Sequence, residues 1–270
     1  MKLLQGSDLA GFIKERQARQ VRGLRQAHGI APKLAIVVTV EHPAIEVYMR
    51  MKTQYGADIL IDVDIHRVQQ ADAPSLIEEL NTDETVHGII VQLPLENPAE
   101  TEAIVDLVAP EKDVDALGRN AIYDPATPLA ILWLLAGYNI DLQGKEVLLV
   151  GRGKLVGAPL EKILEKSGVS VSIVDETVDG LQEKAGIADV IITATGSPGV
   201  LHADMIKRGA VVVDAGVAGE QGKTVGDLDP DVYERDDLTI TPQKGGVGPL
   251  TICALFDNVI RAARFGIEEV

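Results

Sequence analysis

Apolar runs rich in valine and isoleucine recur along the chain at LAIVV (34–38), ILIDV (59–63), GIIVQL (88–93), EVLLV (146–150), SVSIV (170–174), DVIITA (189–194) and AVVVDA (210–215). Runs this apolar, without alternation, suit parallel strands covered on both faces, and helix-length stretches separate them. The class this predicts is α/β. Helices are expected over about 7–27, with Ser7 as N-cap, and over 43–55, 74–81, 98–108, 127–137, 156–167 and 249–265. A length of 270 residues, 46% of them hydrophobic, suffices for two domains with real cores. The boundary is expected near 116–126, where turn-rich ALGRNAIYDPATP leads into a helix with Thr127 as cap and Pro128 in its first turn. Residues 219–237 read as a polar excursion of surface loops.

Charge and composition remove several function classes. A net charge of −16 argues against nucleic acid as partner, because a phosphate backbone needs an excess of Lys and Arg. The single cysteine, Cys253, excludes an internal disulfide and a Cys-built metal site. The histidines at 28, 42, 66, 87 and 202 show no ligand spacing, so no metal is expected. The N-terminal stretch is too short in apolar residues for a signal-peptide core, and no segment approaches the ~20 apolar residues of a membrane span. A cytoplasmic protein with no membrane partner is expected.

VLLVGRGKLVGAPLEKIL places Gly151, Gly153 and Gly157 between a strand and a helix. Glycines there permit a tight turn and a close backbone approach to a diphosphate, which the helix N-terminus stabilises. Asp175 and Glu176 end the next strand, close to the ~20-residue distance at which an acid binds the ribose. A carboxylate there accepts ribose hydroxyls and repels a 2′-phosphate, which favours NAD. Arg152 pulls toward NADP, because a guanidinium in the loop pairs with that phosphate. The expectation is a nicotinamide dinucleotide, NAD or NADP, with a lean to NAD.

Tyr48 and Lys52 lie four apart on an expected helix and so share a face. Alone, the spacing fits a core tyrosine and a solvated lysine better than chemistry. Short-chain dehydrogenases use such a pair, but there the glycine loop opens the chain, whereas here Tyr48 precedes Gly151. The sequence resembles another family, the bifunctional methylenetetrahydrofolate dehydrogenase/cyclohydrolases, over nearly its whole length. Tyr48-x-x-x-Lys52, VQLPL (91–95), PEKDVD (110–115), PATP (125–128), GRGKLVGAP (151–159) and TPQKGGVGPLT (241–251) carry the resemblance, in the family's order.

The resemblance implies that Lys52 handles protons during hydrolysis of the folate's methenyl bridge, that Tyr48 lies against the pterin, and that Gln92 directs Lys52. It implies that Asp115 grips the amino-pyrimidine edge, and that Val91, Leu93, Gly245, Gly246, Gly248, Pro249, Leu250 and Thr251 border the folate. Val217 joins Gly151, Arg152, Gly153, Gly157, Asp175 and Glu176 as a cofactor contact. It further implies a Rossmann-like second domain at 121–249, commonly using NADP, a folate-binding first domain at 1–120 completed by a C-terminal helix (250–270), a substrate cleft between them, and a homodimer. Each residue also has a plainer reading: Gln92 as a strand residue satisfying backbone groups, Asp115 as a turn cap, GGVG as a turn. Two enzyme readings and one non-enzyme reading stay open: this family's activity, a dehydrogenase for a different small substrate, or a degenerate folate-binding paralogue.

Four positions depart from the family pattern. Ala116 replaces a glycine after KDVD, Gly153 a serine, Lys244 a proline, and Ile45 a serine. The helix carrying Lys52 is expected to end near Gly56, about a turn early. Ala116 matters only if its backbone needs a positive φ. Lys244 is placed to attract a polyglutamate tail or to lower the pKa of Lys52 by like-charge repulsion.

Overall fold

The structure, a computed structural model, describes residues 1–175, 180–220 and 223–265. The chain opens on β1 (Lys2–Leu3) and α1 (Gly6–His28), and continues through β2 (Lys33–Val38), α2 (Pro43–Asp58), β3 (Asp62–Arg67), α3 (Ala73–Thr82) and β4 (Gly88–Val91). Two helices, α4 (Thr101–Val105) and α5 (Ala126–Gly137), lead to β5 (Val147–Val150), α6 (Gly157–Lys166), β6 (Val171–Val174), α7 (Leu181–Ile187), β7 (Val190–Thr193) and β8 (Val211–Asp214). The last elements are the hairpin strands β9 (Ala218–Glu220) and β10 (Lys223–Val225), β11 (Thr239–Ile240) and α8 (Val247–Arg264). Among the described residues no helix is long and apolar enough to cross a membrane.

The chain divides into two compact units, one of residues 1–10 and 127–251, the other of residues 11–126 with the chain from Ile252. In the first, six strands pair in the order β1-β11-β8-β7-β5-β6, every pair parallel. The chain passes from β5 outward to β6 and then returns past β5 to β7. The strand order therefore reverses at β5 and β7, and ligands of open parallel sheets bind outside the carboxyl ends of the strands at such a point. The core strands β5 and β7 are buried at every position, as their apolar runs require.

The second unit holds a parallel sheet in the order β3-β2-β4. Its α2 buries Ile45, Met49, Tyr55, Gly56 and Ile59 in one stripe at helical spacing. Phe256 of α8 is fully buried and lies 5.0 Å, centroid to centroid, from the Tyr55 ring.

Several boundaries differ from the sequence expectation. Of the run ILIDV only Asp62 and Val63 lie in a strand, β3, while Ile59 to Ile61 form the C-terminal cap of α2. Ile61 N–H donates to Gly56 O at 2.8 Å and Leu60 N–H to Ala57 O at 3.3 Å, with Leu60 at φ 68, the closing pattern of a helix around a left-handed residue. Gly56 therefore does not end the helix. A Cβ there would lie 2.6 Å from Val63 Cγ2 and 2.8 Å from Ile61 O, so glycine lets the chain fold back against the helix. The expected helix 98–108 contracts to a 3-10 turn (Pro98–Glu100) and α4, while α7 was not expected. Ser7 lies inside α1 and does not cap it; its N–H donates to Gly245 O at 3.0 Å. The first ten residues go with the six-stranded sheet, because β1 pairs with β11.

Candidate active site

Lys52 lies on the buried stripe of α2, seven residues after Ile45 and seven before Ile59, so the helix carries its ammonium against the sheet rather than into solvent. Its Nζ donates to Gln92 Oε1 at 2.9 Å. Gln92 directly succeeds β4; its backbone N–H donates to Val37 O of β2 at 2.9 Å, and its Nε2 to Leu93 O at 2.7 Å. The amide is thus fixed at both ends, and its oxygen orients the amine. Tyr48, one turn earlier, is 41% exposed. Val91 is buried and Leu93 partly so.

Asp115 completes this group. Burial raises its pKa above the usual carboxylate value, opposed by the charge of Lys52. Burial lowers the pKa of Lys52, opposed by Asp115. Desolvation dominates for both, pushing each toward its neutral form. The cause at Lys52 is burial and not the cationic neighbour considered for Lys244, which is exposed. The segment carrying Asp115 is pinned from α8, where Asn258 Nδ2 donates to Val114 O and to Asp124 O, each at 2.9 Å.

Turn capping, the plainer reading of Asp115, belongs instead to Asp113. Its carboxylate accepts the N–H of Gly118 at 2.8 Å and of Leu117 at 3.4 Å. The intervening Ala116 sits at φ 56, the left-handed region that disfavours a Cβ. Glycine restored there relieves a cost of about 1–2 kcal/mol and loses a little to chain entropy. Ala116→Gly is therefore expected to raise the stability by about 1 kcal/mol, read as a higher urea midpoint; a lowered midpoint would contradict the strain.

The first unit carries the glycine loop. Gly151 directly succeeds β5 at φ 96, and a Cβ on it would meet Ala194 O at 2.6 Å. Ala194 comes just after β7, so the loop closes over the sheet at the strand-order reversal. A Cβ on Gly157 would overlap the Gly151 carbonyl oxygen and lie 2.9 Å from Arg152 Cα. These two positions are glycine because backbone meets backbone. At Gly153 the nearest atom is 4.0 Å away, so the family's serine would fit.

Arg152 is committed within the loop: its Nε donates to Glu161 Oε2 at 2.6 Å and its Nη2 to Glu161 Oε1 at 3.1 Å. That pairing is the setting in which the guanidinium expected to meet a phosphate is found. Asp175 comes just after β6 and acts on the Arg152 charge. Val217 is 60% exposed after β8, and Glu176 lies outside the described residues.

Two carboxylates missing from the sequence expectation shape the loops at the strand ends. Asp227, fully buried within the stretch expected as polar surface, accepts the N–H of Thr195 at 2.7 Å and of Ser197 at 3.1 Å. Asp214 accepts from Gly216, Asp227 and Leu228 N–H groups at 2.9–3.3 Å, and burial raises its pKa. Together they tie the loops after β7 and β8.

Of GGVGPLT, Gly245 lies at φ 83, while Gly248, Pro249, Leu250 and Thr251 form the start of α8, which begins earlier than expected. Leu250 is fully buried and Gly248 exposed. The fold also brings His202 Nδ1 within 3.6 Å of Asp229 and 3.7 Å of Asp231, a grouping that sequence spacing hid. All three are partly exposed, and the two carboxylates also cap neighbouring backbone N–H groups.

A parallel sheet with a glycine loop at its reversal point, together with a unit holding a desolvated lysine between an amide and a carboxylate, defines a two-unit α/β enzyme that works with a dinucleotide. Residues 4–115 match the catalytic domain of tetrahydrofolate dehydrogenase/cyclohydrolase, and residues 125–266 match its NAD(P)-binding domain. The chain belongs to the tetrahydrofolate dehydrogenase/cyclohydrolase family. It is 36% identical to the bifunctional protein FolD of Helicobacter hepaticus over 283 aligned positions, covering 100% of this chain and 99% of that one. The crystal structure of the bifunctional enzyme FolD from Campylobacter jejuni superposes with a TM-score of 0.92 at 34% identity, covering 98% of this chain and 99% of the other. The Trypanosoma brucei methylenetetrahydrofolate dehydrogenase-cyclohydrolase, complexed with NADP and an inhibitor, gives 0.91 at 27% identity, covering 98% of each chain.

Proposed function

We propose that the chain oxidises 5,10-methylenetetrahydrofolate to the 5,10-methenyl form with a nicotinamide dinucleotide, and hydrolyses that product to 10-formyltetrahydrofolate. The observation that carries this reading is the contact of Lys52 Nζ with Gln92 Oε1, in a unit where Asp115 shares the same desolvated environment.

The first unit's loop fits a dinucleotide: glycines hold β5, the loop and α6 at backbone contact, and the positive end of the α6 dipole lies at that loop, where it favours a diphosphate. The bound nicotinamide supplies a hydride acceptor, and hydride transfer needs chiefly that the two rings be held in contact. The hydrolysis falls to the chain's own residues. The methenyl carbon is electron-poor and water adds to it; a Lys52 held toward its neutral form accepts the water's proton while its own N–H stays on Gln92. The N5–carbon bond then opens as the added hydroxyl becomes the formyl carbonyl, one of the water's two protons ending on N5 and the other passing to solvent. Asp115 is the acceptor for the two N–H donors of the amino-pyrimidine edge. Tyr48, half in solvent, offers its ring to the flat pterin.

In this reading Gly151, Gly157, Asp175 and Val217 serve the dinucleotide, with NAD preferred because Asp175 repels a 2′-phosphate. Residues around Gly245–Thr251 serve the folate. A metal-free, cytoplasmic homodimer is the assembly this reading carries. The test is to mix the purified protein with 5,10-methylenetetrahydrofolate and either NAD or NADP, monitoring nicotinamide reduction and methenyl absorbance. Reduction of NAD with transient methenyl absorbance is expected. Reduction of neither cofactor would remove the reading, and dinucleotide binding without folate turnover would point to a different substrate.

A further inference from the structure

An arginine near the glycine loop can accommodate the 2′-phosphate that distinguishes NADP from NAD. Here the guanidinium is held by two hydrogen bonds, from Nε and Nη2 to the two oxygens of Glu161. Fork-to-fork pairs of this kind are stronger and more directional than single contacts. Glu161 lies in the second turn of α6 with its side chain only 10% exposed, whereas that of Arg152 is 55% exposed. The carboxylate is thus the fixed partner, and the arginine folds back onto it. Asp175, after β6, adds a second negative charge acting on the same guanidinium.

We propose that Glu161 is a specificity-determining residue that selects NAD over NADP by occupying Arg152. A 2′-phosphate would have to displace a buried carboxylate from its arginine and would then face both Glu161 and Asp175. A 2′-hydroxyl meets neither obstacle, since it donates to Asp175 without needing a cation. Electrostatic selection of this kind works by repelling the wrong ligand as much as by holding the right one. The inference rests on the reading of the glycine loop as the dinucleotide site, and it explains how a loop arginine and a ribose-binding acid coexist in one chain.

The test is calorimetric titration of NAD and of NADP into wild type, Glu161→Gln, Arg152→Ala and the double variant. Glutamine keeps the shape of Glu161 and removes its charge, so the arginine can turn to a phosphate. Glu161→Gln is expected to shift the NADP-to-NAD affinity ratio toward NADP by roughly tenfold or more, and the double variant to lose that shift. Arg152→Ala alone is expected to move the ratio by less than about twofold, because the arginine is already occupied. An unchanged ratio in Glu161→Gln, or a shift that survives in the double variant, overturns the proposal. If Glu161→Gln does not fold, the single Arg152→Ala variant still decides: a strong loss of NADP relative to NAD shows an available arginine and overturns it. Binding of neither dinucleotide to wild type would instead remove the loop's assignment.

Discussion

Lys52→Met lowers hydrolysis of 5,10-methenyltetrahydrofolate by roughly 10²–10⁴-fold, the range of a lost acid–base group, while nicotinamide dinucleotide affinity stays near wild type. Methionine matches the length and apolar stem of lysine, so the stripe of Ile45, Met49, Tyr55 and Ile59 on α2 stays packed. The substitution removes the donor to Gln92 Oε1 and the charge that opposes the rise in the pKa of Asp115. Without it Asp115 moves further toward its protonated form, a weaker acceptor for the pterin's N–H donors, so folate KM rises as well. Decay of methenyl absorbance, measured without any nicotinamide, reads the hydrolysis alone. Retention of wild-type hydrolysis would show that water is activated elsewhere.

Gly157→Ala abolishes dinucleotide binding. The added methyl would overlap the Gly151 carbonyl oxygen and lie 2.9 Å from Arg152 Cα, and neither is a flexible side-chain end that can move aside. The loop or α6 must shift, displacing the backbone that would meet the diphosphate; a misplacement of about 1 Å near a reacting site is enough to cost roughly 100-fold. Gly153→Ser supplies the contrast, because the nearest atom to its Cβ is 4.0 Å away and the substitution restores the family's residue. Titration of NAD into both variants checks the pair: no saturable binding for Gly157→Ala, and binding for Gly153→Ser. Equal affinities would mean that α6 does not rest on the loop.

The parallel sheets were legible in the sequence because strands covered on both faces are apolar nearly throughout, as β4 and β5 are wholly and β2 and β7 are apart from Lys33 and Thr193. The same rule misplaced β3. Ile59 and Ile61 are apolar because the end of α2 packs there, while the edge strand after them, DVDIHR, is polar at four of its six positions. Two-residue strands such as β1 and β11 carry no periodicity to read, so the link between the first residues and the six-stranded sheet was out of reach. Gly56 read as a helix stop; it is a point of close approach, which no single-sequence rule separates from a stop.

The grouping of Lys52, Gln92 and Asp115 was legible through motif order, since the three come from distant segments that only a family pattern ties together. The partner of Arg152 was not. Glu161 stands among the ordinary charges of an amphipathic helix, and only the fold-back of the loop shows that it is buried and paired. Asp227 was hidden for the same reason: it lies in a stretch polar enough to read as surface, and it is fully buried because it satisfies backbone N–H groups of Thr195 and Ser197.

The proposed hydrolysis turns on burial holding the Lys52 amine ready to exchange a proton. The direct measurement is an NMR titration of the protein labelled with ¹³C at lysine Cε, the Lys52 resonance being assigned by its loss in Lys52→Met. Lys52 is expected to titrate below the solvent-exposed lysines, and lower still in Asp115→Asn, since Asp115 opposes the depression. A Lys52 resonance that titrates with the solvent-exposed lysines, near the ordinary value of about 10.4, would contradict it.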